Sequence, residues 1–130
     1  MAAINTPERT AAFLLDEDNG ERKITYEPDT KVSNAGTFEL NREDHTVANL
    51  LRMQLLRHPS VRFTGYKHPH PLIHKIILKI QTNSSTVSPV EVLSEAIEAL
   101  SNETDHLVAG VTEGIERWKR ENDAMNNFGG

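Results

Sequence analysis

The fold of this chain is decided by residues 43–82, which read EDHTVANLLRMQLLRHPSVRFTGYKHPHPLIHKIILKIQT. Apolar residues recur at helical spacing in the first part of this stretch, at Val47, Leu50, Leu51 and Leu55. Asp44 stands where a helix N-cap is needed, and its side chain is one of the preferred types there. Pro59 ends the helix because the residue before a proline is displaced from the α region. The stretch therefore predicts a helix from about Asp44 to Arg57.

Four strands are predicted around this helix. Residues 61–67 and 74–82 are rich in β-branched and aromatic side chains, and Pro69-His70-Pro71 makes a turn between them. Upstream, residues 22–26 and 36–41 alternate apolar and polar side chains, with Phe38 and Leu40 on one face. Pro28-Asp29 marks the turn that separates these two strands.

A second, longer helix is predicted after residue 88. Ser88-Pro89-Val90-Glu91 combines a serine N-cap, a proline in the first turn and a glutamate three residues on, which is a capping box. If it runs to about Arg120, this helix is roughly 48 Å long at 1.5 Å per residue. Its apolar stripe consists of Leu93, Ile97, Leu100, Leu107, Val111, Ile115 and Trp118.

These elements predict an α+β fold in the order β-β-α-β-β-α, with two helices on one face of a small antiparallel sheet. Two helices on such a sheet leave apolar surface uncovered, so a second copy or a related protein would complete a four-helix bundle. We expect a flexible lead over residues 1–12, a single domain over 13–120 and a disordered tail over 121–130.

Charge is distributed unevenly along the 130 residues, although the net charge is only −5. Residues 1–44 and 83–130 are acidic, whereas residues 45–82 hold six basic and no acidic side chains. This pattern predicts that the central segment meets an acidic surface, on its own termini, a partner protein or nucleic acid. The overall acidity disfavours a dedicated nucleic-acid binder. No apolar run reaches membrane-spanning length, and the absence of cysteine excludes disulfides and thiolate metal sites.

Catalytic and metal-binding patterns are weak. His68, His70 and His74 form a tempting zinc cluster, but two prolines stiffen the segment and no carboxylate follows nearby. We interpret them as parts of a rigid loop in which His70 is hydrogen-bonded locally. Asp44 beside His45 suggests acid–base chemistry, yet a helix N-terminus is a sufficient reason for the pair. No catalytic residue, cofactor or metal is predicted.

The central stretch nevertheless carries a recognisable signature. It consists of Asp44-His45-Thr46, Asn49, Pro59, Val61, Phe63, Gly65-Tyr66 and Pro69-His70-Pro71. This pattern resembles the small α-like subunit of eukaryotic and archaeal RNA polymerases, and the likeness extends from about Phe13 to Trp118. Residues 13–26 and 31–35 are most similar to the RNA polymerase II branch.

The resemblance implies a nuclear, non-catalytic assembly subunit of RNA polymerase II with a fold like the bacterial α dimerisation domain. Its expected partner is the larger α-like subunit, and the pair would form the platform for the two large catalytic subunits. DNA would be contacted only indirectly, and a membrane not at all. By position, the heterodimer contact is expected to comprise Val47, Leu50, Leu51, Gln54, Leu55, Leu93, Ile97, Leu100, Leu107 and Val111. Arg52, Arg57 and Lys67 are candidates for contacts with an acidic neighbouring subunit.

Three alternatives stay open from the sequence. The first is the equivalent subunit shared by RNA polymerases I and III, which is disfavoured because a long acidic leader is missing. The second is a free-standing homodimer that binds nucleic acid through its basic centre. The third and weakest is a metal-dependent hydrolase built on the histidine cluster.

Overall fold

A computed structural model describes residues 9–128. Two short 3-10 turns, Arg9–Ala12 and Glu17–Asn19, precede the regular elements. The strands and helices are β1 (Ile24–Pro28), β2 (Ala35–Asn41), α1 (His45–Leu56), β3 (Val61–Lys67), β4 (Lys75–Thr82) and α2 (Pro89–Phe128). The predicted β-β-α-β-β-α order is confirmed.

The sheet has four strands in the order β1-β2-β4-β3, and each neighbouring pair is antiparallel. Its two central strands, β2 and β4, are distant in sequence, whereas each edge strand pairs with a strand next to it along the chain. The register places Phe38 opposite Leu78, and Leu78 opposite Tyr66. Side chains directly opposite one another share a face, so this register fixes which residues enter the core.

The core lies between one face of the sheet and the two helices. Alternate residues of β2 and β4 are buried, namely Phe38, Leu40, Ile76, Leu78 and Ile80. The helices contribute Ala48, Leu51 and Leu55 from α1 and Val92, Leu93 and Ala96 from the first turns of α2. The intervening residues of β4, Lys75, Ile77, Lys79 and Gln81, lie on the opposite face, which we call the open face. The predicted α+β arrangement is confirmed.

Local hydrogen bonds explain where both helices begin. Asp44 Oδ1 accepts from the Thr46 amide at 2.9 Å. At α2, Ser88 Oγ accepts from the Glu91 amide at 3.2 Å, and the Glu91 carboxylate accepts from the Ser88 amide at 3.4 Å. These reciprocal bonds satisfy amides that have no partner within the helix. The predicted N-cap and capping box are both confirmed.

The first strand differs from the prediction by two residues, since it covers Ile24–Pro28 rather than residues 22–26. Asp29 explains the shift, because its Oδ1 accepts from the amides of Lys31 and Val32 and closes the turn only after Pro28. A close approach also anchors this strand. The Tyr26 ring lies over Gly36, where a Cβ would come within 2.2 Å of Tyr26 Cε2, and stacks on Phe38 with centroids 4.7 Å apart.

The chain divides into two compact units with the boundary between Ala96 and Ile97. The single domain expected over residues 13–120 stays a prediction. From Ser101 through Asn127 each residue of α2 is exposed. The helix continues to Phe128, where an end near Arg120 and a disordered tail over 121–130 were predicted. No proline or glycine interrupts residues 115–128, which explains the extension. Residues 1–8 of the expected lead and 129–130 of the tail lie outside the described range.

Candidate partner-binding surfaces

The predicted contact residues of α1 divide between the core and the surface. Leu51 and Leu55 are buried by this chain itself, and Leu55 has no exposed area at all. They have no surface to offer a partner, which corrects the sequence-based assignment. Val47 and Gln54 are half-buried, and Leu50 is exposed.

Two apolar side chains of α1 that the sequence reasoning missed lie beside Leu50. Met53 and Leu56 follow it at steps of three residues, and about half of each side chain is exposed. We call Leu50, Met53 and Leu56 the α1 patch. Helical spacing alone could have revealed them, because they interrupt what would otherwise be a polar side of the helix.

The predicted contact residues of α2 divide in the same way. Leu93 is buried in the core of the first unit. In the second unit the predicted residues carry solvent-accessible apolar surface, and two further residues extend the stripe. We call this set the α2 seam: Ile97, Leu100, Leu107, Val111, Ile115 and Trp118. Leu107 is 65% exposed and Trp118 is 63% exposed, values that are unusual for such large apolar side chains.

The basic segment finds part of its acidic surface within its own chain. Lys75 Nζ lies 2.5 Å from Glu39 Oε1, and Lys79 Nζ lies 3.8 Å from Asp29 Oδ2. The hydrogen bond from Lys75 lowers the pKa of Glu39 below its ordinary value. The three predicted basic contacts, Arg52, Arg57 and Lys67, make no ion pair within residues 9–128, and Arg52 donates instead to Asn49 Oδ1.

The signature residues at the start of α1 form a structural cluster. His45 Nδ1 lies 2.9 Å from the Tyr66 hydroxyl and so ties the first turn of α1 to β3. The His68 ring meets the His45 ring edge-on at 5.4 Å. The capping bond from the Thr46 amide lowers the pKa of Asp44. These contacts join a helix start to a strand end and account for the Asp44–His45 pair without acid–base chemistry.

The predicted histidine loop is built by local bonds. His68 Nε2 lies 2.8 Å from the Ile73 carbonyl, and His70 Nδ1 accepts from the Leu72 amide at 3.1 Å. The expectation that His70 is hydrogen-bonded locally is confirmed. Within the described part of the chain, no group of three histidine, aspartate or glutamate side chains is arranged to hold a metal ion. No helix between residues 9 and 128 is long and apolar enough to cross a membrane.

Other signature residues support the same framework. Asn49 Oδ1 accepts from Arg52 Nε and Nη2, and the Pro59 carbonyl accepts from Asn83 Nδ2 at 2.9 Å. The latter bond holds the turn after α1 against the end of β4. The signature therefore maps onto residues that orient α1 on the hairpin β3–β4, rather than onto a pocket with reactive groups.

Comparison with known proteins identifies the family to which this chain belongs. The profile of the RNA polymerase Rpb3/Rpb11 dimerisation domain matches residues 35–109, which is more than half of the chain. The chain belongs to the Rpb3/Rpb11 dimerisation family. The predicted resemblance to the small α-like polymerase subunits is confirmed.

Members of the Rpb3/Rpb11 family with curated names are similar over most of their length. A Caenorhabditis briggsae protein named probable DNA-directed RNA polymerase II subunit RPB11 is 42% identical over 125 residues, which is 96% of this chain and 99% of that protein. The Dictyostelium discoideum subunit rpb11 is 40% identical over 88% of this chain and 92% of its own length. The Schizosaccharomyces pombe RPB11 is 46% identical over 75% and 76% respectively.

A solved structure shares the fold of this family member. DNA-directed RNA polymerase subunit L from Thermoplasma acidophilum superimposes with a TM-score of 0.61 and 20% identity, over 75% of this chain and 95% of that one. The β-β-α-β-β-α arrangement is therefore also found in an archaeal polymerase subunit.

Proposed function

We propose that this protein is a non-catalytic assembly subunit of nuclear RNA polymerase II that pairs with the larger α-like subunit. The observation that carries the proposal is the α2 seam, a run of large apolar side chains left exposed in a chain of the dimerisation family. The similar proteins named as RNA polymerase II subunits favour this polymerase over polymerases I and III.

The energetics of the α2 seam support a permanent partner. Leu107 and Val111 are more than half exposed. Burying a leucine or valine side chain contributes about 1.5–3 kcal/mol relative to leaving it in water. Several such residues along one helix provide enough free energy to offset the cost of association, as they do in helical bundles. The α1 patch offers a second apolar surface of the same kind.

The pair would serve as the platform on which the two large catalytic subunits of the polymerase assemble. Lys67 and Arg57, which lack an ion pair within residues 9–128, are available for an acidic surface on such a neighbour. In this assignment DNA is reached only through the assembly. The location is the nucleus, where RNA polymerase II acts.

The experiment that tests this assignment is the solution mass of the full chain, alone and after co-expression with a larger α-like subunit. We expect a 1:1 heterodimer. Leu107→Asp should abolish it, because a carboxylate buried in an apolar seam costs several kcal/mol. The matched control is Ala109→Asp, which adds the same charge about 200° around the helix from residue 107 and should leave pairing intact.

Three results would contradict the assignment. A stable homodimer that ignores the α-like subunit would favour the free-standing module, and so would DNA affinity falling with salt at a slope of about −0.9 per phosphate contact. Normal pairing by the Leu107→Asp protein would show that the α2 seam is not part of the interface. Leu100→Asp tests the same seam less directly, because Leu100 is partly buried.

A further inference from the structure

The open face of the sheet carries a shallow depression centred on Gly65. The register aligns Thr37, Lys79 and Gly65 in one row across β2, β4 and β3, and Ile77 and Lys67 in the next row. Gly65 has no side chain, so the surface sinks between its neighbours on β3. Phe63 forms one wall, with its ring leaning so that a Cβ on Gly65 would lie 3.4 Å from Phe63 Cζ. We call this feature the Gly65 depression.

The depression combines an apolar floor with a basic rim. Phe63 is 49% exposed, and Ile77, on the other side of the Gly65–Lys79 row, is half-buried. Lys67 is exposed and makes no ion pair within the described chain, while Lys79 lies 3.8 Å from Asp29, at the far limit of an ion pair. Lys75, one row further, is balanced by Glu39 at 2.5 Å. The rim thus keeps one cation without an ion pair in the described chain, Lys67, and a second, Lys79, that is held only at long range.

We infer that the Gly65 depression receives an apolar side chain from an acidic segment of a neighbouring polymerase polypeptide other than the α-like partner. This inference rests on the proposed function. The rim charges select an acidic segment, and the cleft between Phe63 and Ile77 selects an apolar side chain. Since the open face lies across the sheet from α1, a partner on the α1 patch leaves the depression free for another polypeptide.

The same face disfavours nucleic acid as the occupant. Glu27 is exposed on the β1–β2 half of the open face, adjacent to the basic half, whereas Glu39 on the same half is paired with Lys75. A phosphate chain crossing the sheet would approach the Glu27 carboxylate and be repelled. Only one aromatic side chain, Phe63, is placed on this face within residues 9–128, whereas single-strand binding surfaces stack successive bases on several.

The test is photo-crosslinking in the assembled, purified polymerase. A benzophenone amino acid replaces Phe63 in one preparation and Leu107 in another, and mass spectrometry identifies the crosslinked segments. Position 107 should crosslink to the α-like subunit. Position 63 should crosslink to a segment of a different polypeptide that is rich in aspartate and glutamate and contains an apolar residue.

A second substitution tests whether the depression itself binds. In the background of the position 63 crosslinker, Gly65→Val fills the depression with a side chain suited to a strand. We expect the crosslink yield to fall by about tenfold, because overlap with the seated side chain opposes binding. Thr25→Val changes the other half of the open face and should leave the yield unchanged. Lys67→Glu should lower the yield as Gly65→Val does.

The crosslinking results distinguish failure of the inference about the Gly65 depression from failure of the proposed function. If position 107 crosslinks to the α-like subunit but position 63 crosslinks to nothing, to nucleic acid, to a basic segment or to the α-like subunit, the inference is overturned and the proposed function stands. An unchanged yield with Gly65→Val also overturns it. If position 107 fails as well, the proposed function fails and this inference fails with it.

Discussion

At the scale of single residues, Arg42 joins three parts of the chain. It is the one non-glycine residue with a positive φ between residues 9 and 128, at 59°. Its guanidinium donates to both carboxylate oxygens of Glu21, at 2.8 and 2.9 Å, and to the Ala11 carbonyl at 2.6 Å. Its amide donates to the His74 carbonyl. A strained backbone is therefore held by charge-assisted bonds between the N-terminal segment, β2 and the histidine loop.

Substitutions of Arg42 should distinguish the free energy that these bonds contribute from the free energy that the strained backbone costs. Arg42→Ala should lower the free energy of unfolding by about 1.5–3 kcal/mol, because it removes charge-assisted bonds in a partly buried site. Arg42→Gly loses the same bonds but relaxes the left-handed conformation, so it should be about 1 kcal/mol more stable than the alanine variant. Urea unfolding measures both. Equal stability of the two variants would show that the backbone at residue 42 carries no strain.

Acidic side chains make stability depend on pH. Hydrogen bonds from Arg42, the Lys31 amide, Lys75 and the Thr46 amide respectively lower the pKa values of Glu21, Asp29, Glu39 and Asp44. A carboxyl whose pKa is lower in the folded state stabilises the fold above its ordinary value, here 4.5 for glutamate and 3.8 for aspartate. That contribution disappears as pH falls through the lower, folded-state pKa.

We therefore expect the free energy of unfolding to decrease on acidification below those ordinary values. Urea unfolding at a series of pH values measures the slope. Asp44→Asn keeps a capping side chain but removes one titrating group, and should make the slope shallower. A stability that rose as the pH fell from 5 to 3 would contradict the assignment.

At the scale of elements, sequence patterns predicted where each helix and strand lies along the chain. They did not predict which neighbouring element, or which partner protein, buries its apolar side chains. Asp44 and Ser88 were predictable because a cap is satisfied within three residues. The end of β1 depended on the Asp29 turn, which competes locally with strand pairing. Leu51 and Leu55 have the same periodicity whether this chain or a partner buries them. Only the register of β3 and β4 beneath α1 distinguishes the two cases.

The glycines of α2 give a prediction at this scale. A Cβ added at Gly110 or Gly114 would meet open space. Alanine at either position should therefore stabilise the helix by about 0.5–1 kcal/mol. Circular dichroism during thermal unfolding of the full chain reports the change.

The matched control for these glycines is Gly20→Ala, which also meets open space but has a φ of 79°. It should destabilise the protein, because alanine is strained in that conformation. Alanine effects of the same sign at residues 20 and 110 would contradict the backbone argument.

At the scale of the whole molecule, the exposed second unit should be the least protected part of the isolated chain. A helix without tertiary contacts is only marginally stable in water. Amide hydrogens from Ser101 to Phe128 should therefore exchange quickly when the chain is alone and become protected after pairing with the α-like subunit. Hydrogen-exchange mass spectrometry compares the two states, with the core strand β4 as an internal reference. Equal protection of residues 101–128 in both states would argue against their burial by that partner.

The strand order also has a consequence for the course of folding. Pairing β2 with β4 joins residues between 34 (Asn41 with Lys75) and 46 (Ala35 with Gln81) positions apart, whereas both edge pairs are joined by short loops. Closing the larger loop costs more chain entropy, so the two hairpins are expected to form before the sheet is joined at its centre. During synthesis at about 5–20 residues per second, β2 emerges several seconds ahead of β4. For that interval the nascent chain carries an incomplete sheet, whose middle closes only when its fourth strand arrives.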